Sequence, residues 1–187
     1  MIEQNKIVID VFTFSVRDLI IDLVEAFEYQ TRLKQLNLQV CYALNLPVNV
    51  NSDPNRIKQI LFNLVQNAIK FTQKGFVKIC VYYSERKRAG KSKHYVCFDV
   101  EDTGVGIRRQ EIPYLCELFG INKINKEKKN VGLGLTVSYQ LSRRLGKAVK
   151  VDSIYGQGTL VSFKVRDRTQ NSLLLLEEEK GEALAED

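Results

Sequence analysis

The chain has no tryptophan, one histidine, one methionine and three prolines in 187 residues. Its four cysteines, Cys41, Cys80, Cys97 and Cys116, lie far apart, without a CxxC pair. With only His94 to join them, that spacing argues against zinc and for buried, reduced thiols, which suit a reducing compartment. No apolar run approaches the roughly 20 residues that span a bilayer. The opening "MIEQNKIVID" has neither the basic start nor the apolar stretch of a secretory signal. These absences lead to the expectation of a soluble, cytoplasmic domain that makes no membrane contact of its own.

What is present suits one globular domain. The hydrophobic share is 44% and the charged share 27%, ordinary values for a chain with a real core. The net charge of +6 is unevenly spread. From Leu173 to Asp187 the sequence holds six acids and one lysine, so the body before it carries +11. A body so basic attracts phosphate or an acidic partner. The loop "ERKRAGKSK" adds five basic residues but no interleaved aromatics. It therefore reads as a solvated hairpin tip, and no nucleic-acid partner is expected.

Periodicity predicts a first strand near Lys6 to Val11 and a helix capped by Ser15 running to about Leu36. A strand in "LQVCYAL" follows, then a turn cluster "NVNSDPNR". Asp53 as N-cap and Pro54 at the first helical position announce a helix ending near Lys74 and Gly75. "FVKICVYYS" and "HYVCFDVED" predict a hairpin. "RRQEIPYLCELF" reads as helical, "GINKINKEKKN" as a mobile loop, and "LGLTVSYQLSRRLG" as a helix with Gly146 as its C-cap. "KAVKVDS" and "GTLVSFKV" close the domain as strands. The expected fold class is α+β, a two-layer sandwich of one mixed sheet with helices on one face. The expected boundaries are residues 1–166 for the domain and 167–187 for an acidic tail.

One helix is unusual. In "ILFNLVQNAIKFT", Asn63, Asn67 and Lys70 fall within roughly 60° of one another around the axis. They run beside the apolar stripe of Ile57, Ile60, Leu64 and Ala68. An asparagine oxygen is a hard, neutral donor suited to Mg²⁺, and a lysine meets phosphate as a point charge. A solvated helix edge would use the same residues. Three glycine motifs follow. In "EDTGVGI", Asp102 ends a strand, and Gly104 and Gly106 form a turn where backbone can approach a ligand. A buried carboxylate there can accept the exocyclic amine of adenine. In "GLGL", Gly132, Leu133 and Gly134 open a helix whose free N–H groups favour an anion. In "GQGTL", Gly156, Gly158 and Thr159 open the last strand.

The order of asparagine helix, "DTGVGI", "GLGL" and "GQGT" resembles the ATP-binding catalytic domain of sensor histidine kinases. That domain belongs to the superfamily shared with DNA gyrase, a heat-shock chaperone and mismatch-repair ATPases. The likeness spans about Phe12 to Val165 and implies the two-layer Bergerat-type ATP-binding fold. It implies that Asn67 holds Mg²⁺ on ATP, that Asn63 supports it, and that Lys70 lies near the phosphates. Phe71 would flank the nucleotide. Asp102 would take the adenine amine, aided by Thr159, and the four glycines with Leu133 would wrap the nucleotide under the lid "GINKINKEKKN". The implied partners are a histidine-bearing dimerisation domain, in cis or in trans, and a downstream response regulator or receiver domain. Hydrolytic members carry a glutamate where this chain has Asn63, so phosphoryl transfer is favoured over hydrolysis. Asn130 replaces a usual glycine, and Ile121 replaces an aromatic near Phe119. His94 lacks the acidic neighbour and helical setting of a phosphoacceptor. The alternatives to a histidine kinase are a non-catalytic nucleotide-binding interaction module of the same fold and a serine kinase like the anti-sigma factors.

Overall fold

The computed structural model describes residues 8–88, 90–112 and 133–169. Gly132, Asn130, Phe119, Ile121, Cys116, the loop from Gly120 to Asn130, most of "RRQEIPYLCELF" and the acidic tail lie outside them.

Strand β1 (Phe12–Ser15) leads directly into helix α1 (Val16–Leu33). Ser15 is extended and its hydroxyl accepts from the Asp18 N–H, satisfying a donor that the first turn leaves free. The helix stops three residues short of expectation. Gln35 takes a left-handed φ of 54°, while Leu36 N donates to Thr31 O at 2.9 Å and Gln35 N to Arg32 O at 3.1 Å. This is a Schellman ending built on glutamine, so the usual glycine signal is missing.

Strand β2 (Asn37–Tyr42) and β3 (Asn49–Ser52) precede α2 (Pro54–Phe71). The Asp53 carboxylate accepts from Arg56 N at 3.0 Å and from Asp10 N at 3.1 Å, capping α2 and fixing the incoming chain. β4 (Phe76–Arg88) and β5 (Lys91–Asp102) form the expected hairpin. Helix α3 (Leu133–Leu145) runs into β6 (Gly146–Ile154), and β7 (Gly158–Asp167) ends the described fold.

The main sheet has the order β2-β4-β5-β7-β6, with β2 parallel to β4 and the other pairs antiparallel. It is the mixed sheet expected, and among the described residues α1, α2 and α3 cover one face. Val77, Ile79, Val81, Val96, Phe98 and Val100 meet Ile20, Leu23 and Phe27 of α1 and Ile57, Ile60, Leu61 and Leu64 of α2 in one core. Phe98 stacks on Phe163 of β7 with centroids 4.9 Å apart. Each such buried side chain contributes about 1.5–3 kcal/mol.

Three expectations are corrected. Val8 to Val11 form no strand, Lys6 and Ile7 lie outside the described residues, and the first described strand is Phe12–Ser15, which pairs with β3, a segment that reads locally as a turn cluster. α2 ends at Phe71, where Thr72 turns extended and returns its hydroxyl to Ala68 O at 2.7 Å. Gly146 is not a left-handed cap but the first residue of β6, where a Cβ would lie 2.5 Å from Lys164 O.

The cysteine reading also changes. Cys41 and Cys80 face each other across parallel β2 and β4 and form a disulfide, with Cα atoms 4.7 Å apart. Parallel pairing joins residues 39 apart in sequence, which spacing alone does not reveal. Cys97 does remain a buried thiol, its pKa pushed up by burial. The bond removes the cysteine argument for a reducing compartment.

Asp167 at the end of β7 ties the small β1–β3 sheet to the large one. Its carboxylate accepts from Asn51 N at 3.0 Å, from the Tyr83 hydroxyl at 2.6 Å and from Thr169. Burial raises its pKa, but the hydrogen bonds from Thr169, Tyr83 and Asn51 outweigh that and leave it below the usual value. His94 stacks on Tyr83 beside this network. A folded-state pKa below the unfolded value gives stability that is present above about pH 4 and lost on acidification through the folded pKa. Asp167→Asn is expected to cost about 1–3 kcal/mol at neutral pH. Urea unfolding should show this deficit constant down to about pH 5 and shrinking below about pH 4.

Candidate nucleotide site

The site is assembled where the ends of α2, β5 and β7 meet. Register places Asp102, the last residue of β5, opposite Val77 on one side and Thr159 on the other. Asp102 is 9% exposed, and its carboxylate accepts from Gly104 N at 2.8 Å and from the Thr159 backbone N–H. Burial raises its pKa, and the two backbone donors only partly offset this. The result is a fixed, poorly solvated acceptor whose carboxylate is costly to leave without a further donor.

The loop after Asp102 is strapped on both sides. Thr103 N donates to Phe76 O, and Val105 N donates to Phe71 O, both at 3.2 Å. The Thr103 hydroxyl accepts from Phe76 N at 3.0 Å. On the far side, Ile107 N donates to the Ser153 hydroxyl at 2.8 Å and Gly156 N to Val105 O at 2.8 Å. Gly104 has no room for a side chain, since a Cβ would lie 2.6 Å from Phe71 O and 2.7 Å from the Asp102 carboxylate. Gly106 has φ +66° and sits against the Ile154 carbonyl.

Ser153 carries no sequence signal of its own, yet it joins three parts of the site. It accepts from Ile107 N, donates to Gly158 O at 2.9 Å and lies 3.0 Å from the Thr159 hydroxyl. The motif "DSIYGQGT" contains it, but its partners depend on the β6–β7 register, which pairs Ser153 with Thr159.

On α2, Asn63 and Asn67 are half-buried, and Lys70 and Phe71 are exposed. The Asn63 amide donates to Gly134 O at 3.1 Å and to the Ser138 hydroxyl at 3.2 Å, so it latches the first turn of α3. A Cβ on Gly134 would come within 3.2 Å of that amide. Lys70 Nζ stands 5.3 Å from the Phe71 ring centroid. Lys70, Phe71, Gln73, Lys74, Thr103, Gly104 and Val105 line an open cleft of about 550 Å³. The structure thus gathers Asp102, Gly104, Gly106 and Thr159 at one end and sets the asparagine edge and Gly134 beside it. Leu133 opens α3.

Among the described residues no cluster of three or more His, Cys, Asp or Glu could hold a metal. The oxygen donors at hand are neutral amides, which suit an ion that keeps most of its water and takes substrate phosphates.

The family model described as "Histidine kinase-, DNA gyrase B-, and HSP90-like ATPase" matches residues 52–169, more than half of the chain. The sensor histidine kinase GacS of Pseudomonas protegens is 33% identical over 160 residues, which is 84% of this chain and 17% of that protein. Full-length ShkA in complex with AMPPNP superposes with a TM-score of 0.69 at 26% identity, covering 86% of this chain and 32% of that one. The catalytic domain of histidine kinase ThkA has a TM-score of 0.66 at 23% identity, covers 84% of this chain and 96% of that domain, and shows the shared fold. This chain spans about a fifth, or less, of the length of GacS and ArcB. The chain belongs to the histidine kinase-, DNA gyrase B- and HSP90-like ATPase family, as an ATP-binding catalytic domain of the sensor histidine kinase kind.

Proposed function

We propose that this domain binds ATP with Mg²⁺ and transfers the γ-phosphoryl group to a histidine on a separate dimerisation domain. A receiver domain or response regulator would then take the group on. The observation that carries the reading is the buried Asp102 carboxylate, held by Gly104 and Thr159 at the mouth of a glycine-strapped loop. Asp102 would accept the adenine amine, with Ser153 fixing the Thr159 hydroxyl beside it. Asn67 would hold Mg²⁺, Lys70 would meet phosphate, and Phe71 would stand at the rim. Bound Mg²⁺ would supply charge neutralisation between the phosphates.

Asn63 serves by position. Its amide holds the first turn of α3 at Gly134, and the "GLGL" residues Gly132, Leu133 and Gly134 would offer backbone N–H groups to the phosphates. No carboxylate stands there to activate water, which supports transfer over hydrolysis. In the transfer, an imidazole nitrogen attacks the γ-phosphorus, an N–P bond forms and the bridging P–O bond breaks, releasing ADP. We place the end of the catalytic domain at about Thr169 rather than residue 166, because Asp167 closes β7 and is bonded to Asn51, Tyr83 and Thr169, and we assign the acidic tail to the residues after it. A cytoplasmic setting is part of the proposal; no described helix is long and apolar enough to cross a membrane.

The test mixes the 187-residue chain, ATP and Mg²⁺ with a histidine-bearing dimerisation domain of a sensor kinase. Acid-labile phosphate should appear on that domain, and Asn67→Ala should slow its formation about a hundredfold. Adenosine binding by the variant should stay within about threefold of the parent, because Asn67 is assigned to the metal rather than the base. Nucleotide binding without transfer would identify a non-catalytic module, and acid-stable phosphate would identify a serine kinase.

A further inference from the structure

Lys34 lies outside every motif, in the turn that ends α1. Its ammonium crosses to the end of α2 and donates to the carbonyls of Ile69 at 2.6 Å, Lys70 at 3.1 Å and Thr72 at 3.5 Å. The Ile69 and Lys70 carbonyls belong to the last turn of α2 and that of Thr72 to its cap, where backbone oxygens lack helical partners and the helix carries its negative half-charge. Lys70, assigned to the phosphates, lies in that last turn, and Asn67, assigned to the metal, stands about one turn before it on the same edge of the helix. A polyphosphate would therefore approach the unfavourable end of a helix dipole. Helix N-termini attract anions, and this end repels them.

We propose that Lys34 is a positioning residue for the triphosphate: its ammonium covers the α2 carbonyl end and turns a repulsive terminus into one an anion can approach. The inference rests on the ATP reading above. Lys34 touches no part of the nucleotide in it and acts through the backbone of Ile69, Lys70 and Thr72. The Schellman turn at Gln35 holds Lys34 in place, with Lys34 N donating to Gln30 O at 3.2 Å. The Thr72 hydroxyl bonded to Ala68 O fixes the other side of the contact. Lys70 and Lys74 add positive charge at the cleft, so the deficit left by removing Lys34 would be partial rather than complete.

The experiment measures ATP and AMP binding by calorimetry, each at low and high salt, for the full chain, Lys34→Met and Lys34→Arg. Lys34→Met is expected to weaken ATP about three- to tenfold and AMP less than about twofold, because more phosphate charge faces the uncovered carbonyls. High salt should narrow that selective loss, and Lys34→Arg should restore most of it. If Lys34→Met weakened both nucleotides equally, or neither, Lys34 would be only a helix tether and the inference would be overturned. If the parent chain bound neither nucleotide, the ATP reading itself would fail, which is a separate result.

Discussion

Asp102→Asn is expected to weaken ATP binding about 10- to 100-fold while leaving the chain folded. The reason is the inventory of donors around one buried group. Gly104 N and Thr159 N already point at the Asp102 carboxylate, and adenine would bring a third donor to the same acceptor. A carboxylate has lone pairs for all three; an amide offers one oxygen and a nitrogen that cannot accept. Asparagine would therefore leave either a backbone N–H or the adenine amine without a partner, and an unsatisfied buried donor costs about 1–3 kcal/mol. The asparagine also loses the charge that makes the remaining bonds strong. Burial of the charged form is relieved at the same time, so stability should move less than affinity. The parent should also reject inosine triphosphate, whose exocyclic carbonyl oxygen, in place of the adenine amine, would face the carboxylate as a second acceptor. Affinity of the parent for ATP should fall on acidification at a pH above the ordinary aspartate value of about 3.9, because burial holds the Asp102 pKa up. Equal binding of ATP by Asp102→Asn and the parent would remove Asp102 from the base-recognition role.

Local signals were legible where the chemistry is local. Ser15 and Asp53 are caps because a short side-chain oxygen beside a helix start has one natural partner, two or three residues on. The β4–β5 hairpin follows from alternation alone, and Asp102 follows from it as the end of a strand. Long-range partners were not legible. β3 is four polar-rich residues that become a strand only because β1 lies alongside. The disulfide needs the parallel β2–β4 register, and the grip of Lys34 on α2 needs the two helices to pack side by side with their C-terminal ends adjacent. Asn63 shows the division within one side chain. Its place on the edge of α2 can be counted from the helical period, but its bonds to Gly134 and Ser138 of α3 depend on packing.

Gly158→Ala should cost about 3 kcal/mol or more of stability and abolish nucleotide binding with it, whereas Gly156→Ala, two residues away, should cost about 1 kcal/mol. Both glycines have positive φ, +130° and +85°, so both substitutions strain the backbone. Their surroundings differ. A Cβ on Gly156 meets nothing within 4 Å. A Cβ on Gly158 overlaps the Asp102 carbonyl and comes within 2.9 Å of its carbon and 3.1 Å of Thr103 Cα. That overlap can be relieved only by separating β7 from β5 at the point where Thr159 pairs with Asp102. Backbone cannot rotate away as a flexible side chain does, so the steric cost adds to the conformational one. Moving β7 would also pull the Gly158 carbonyl from Ser153, and with it the Ile107 N–H that Ser153 holds. Chemical denaturation of the two variants separates these contributions, since Gly156→Ala carries the backbone strain without the collision. A Gly158→Ala protein as stable as Gly156→Ala would mean that the strands can part without cost, and the close packing assigned to the adenine end of the site would be wrong.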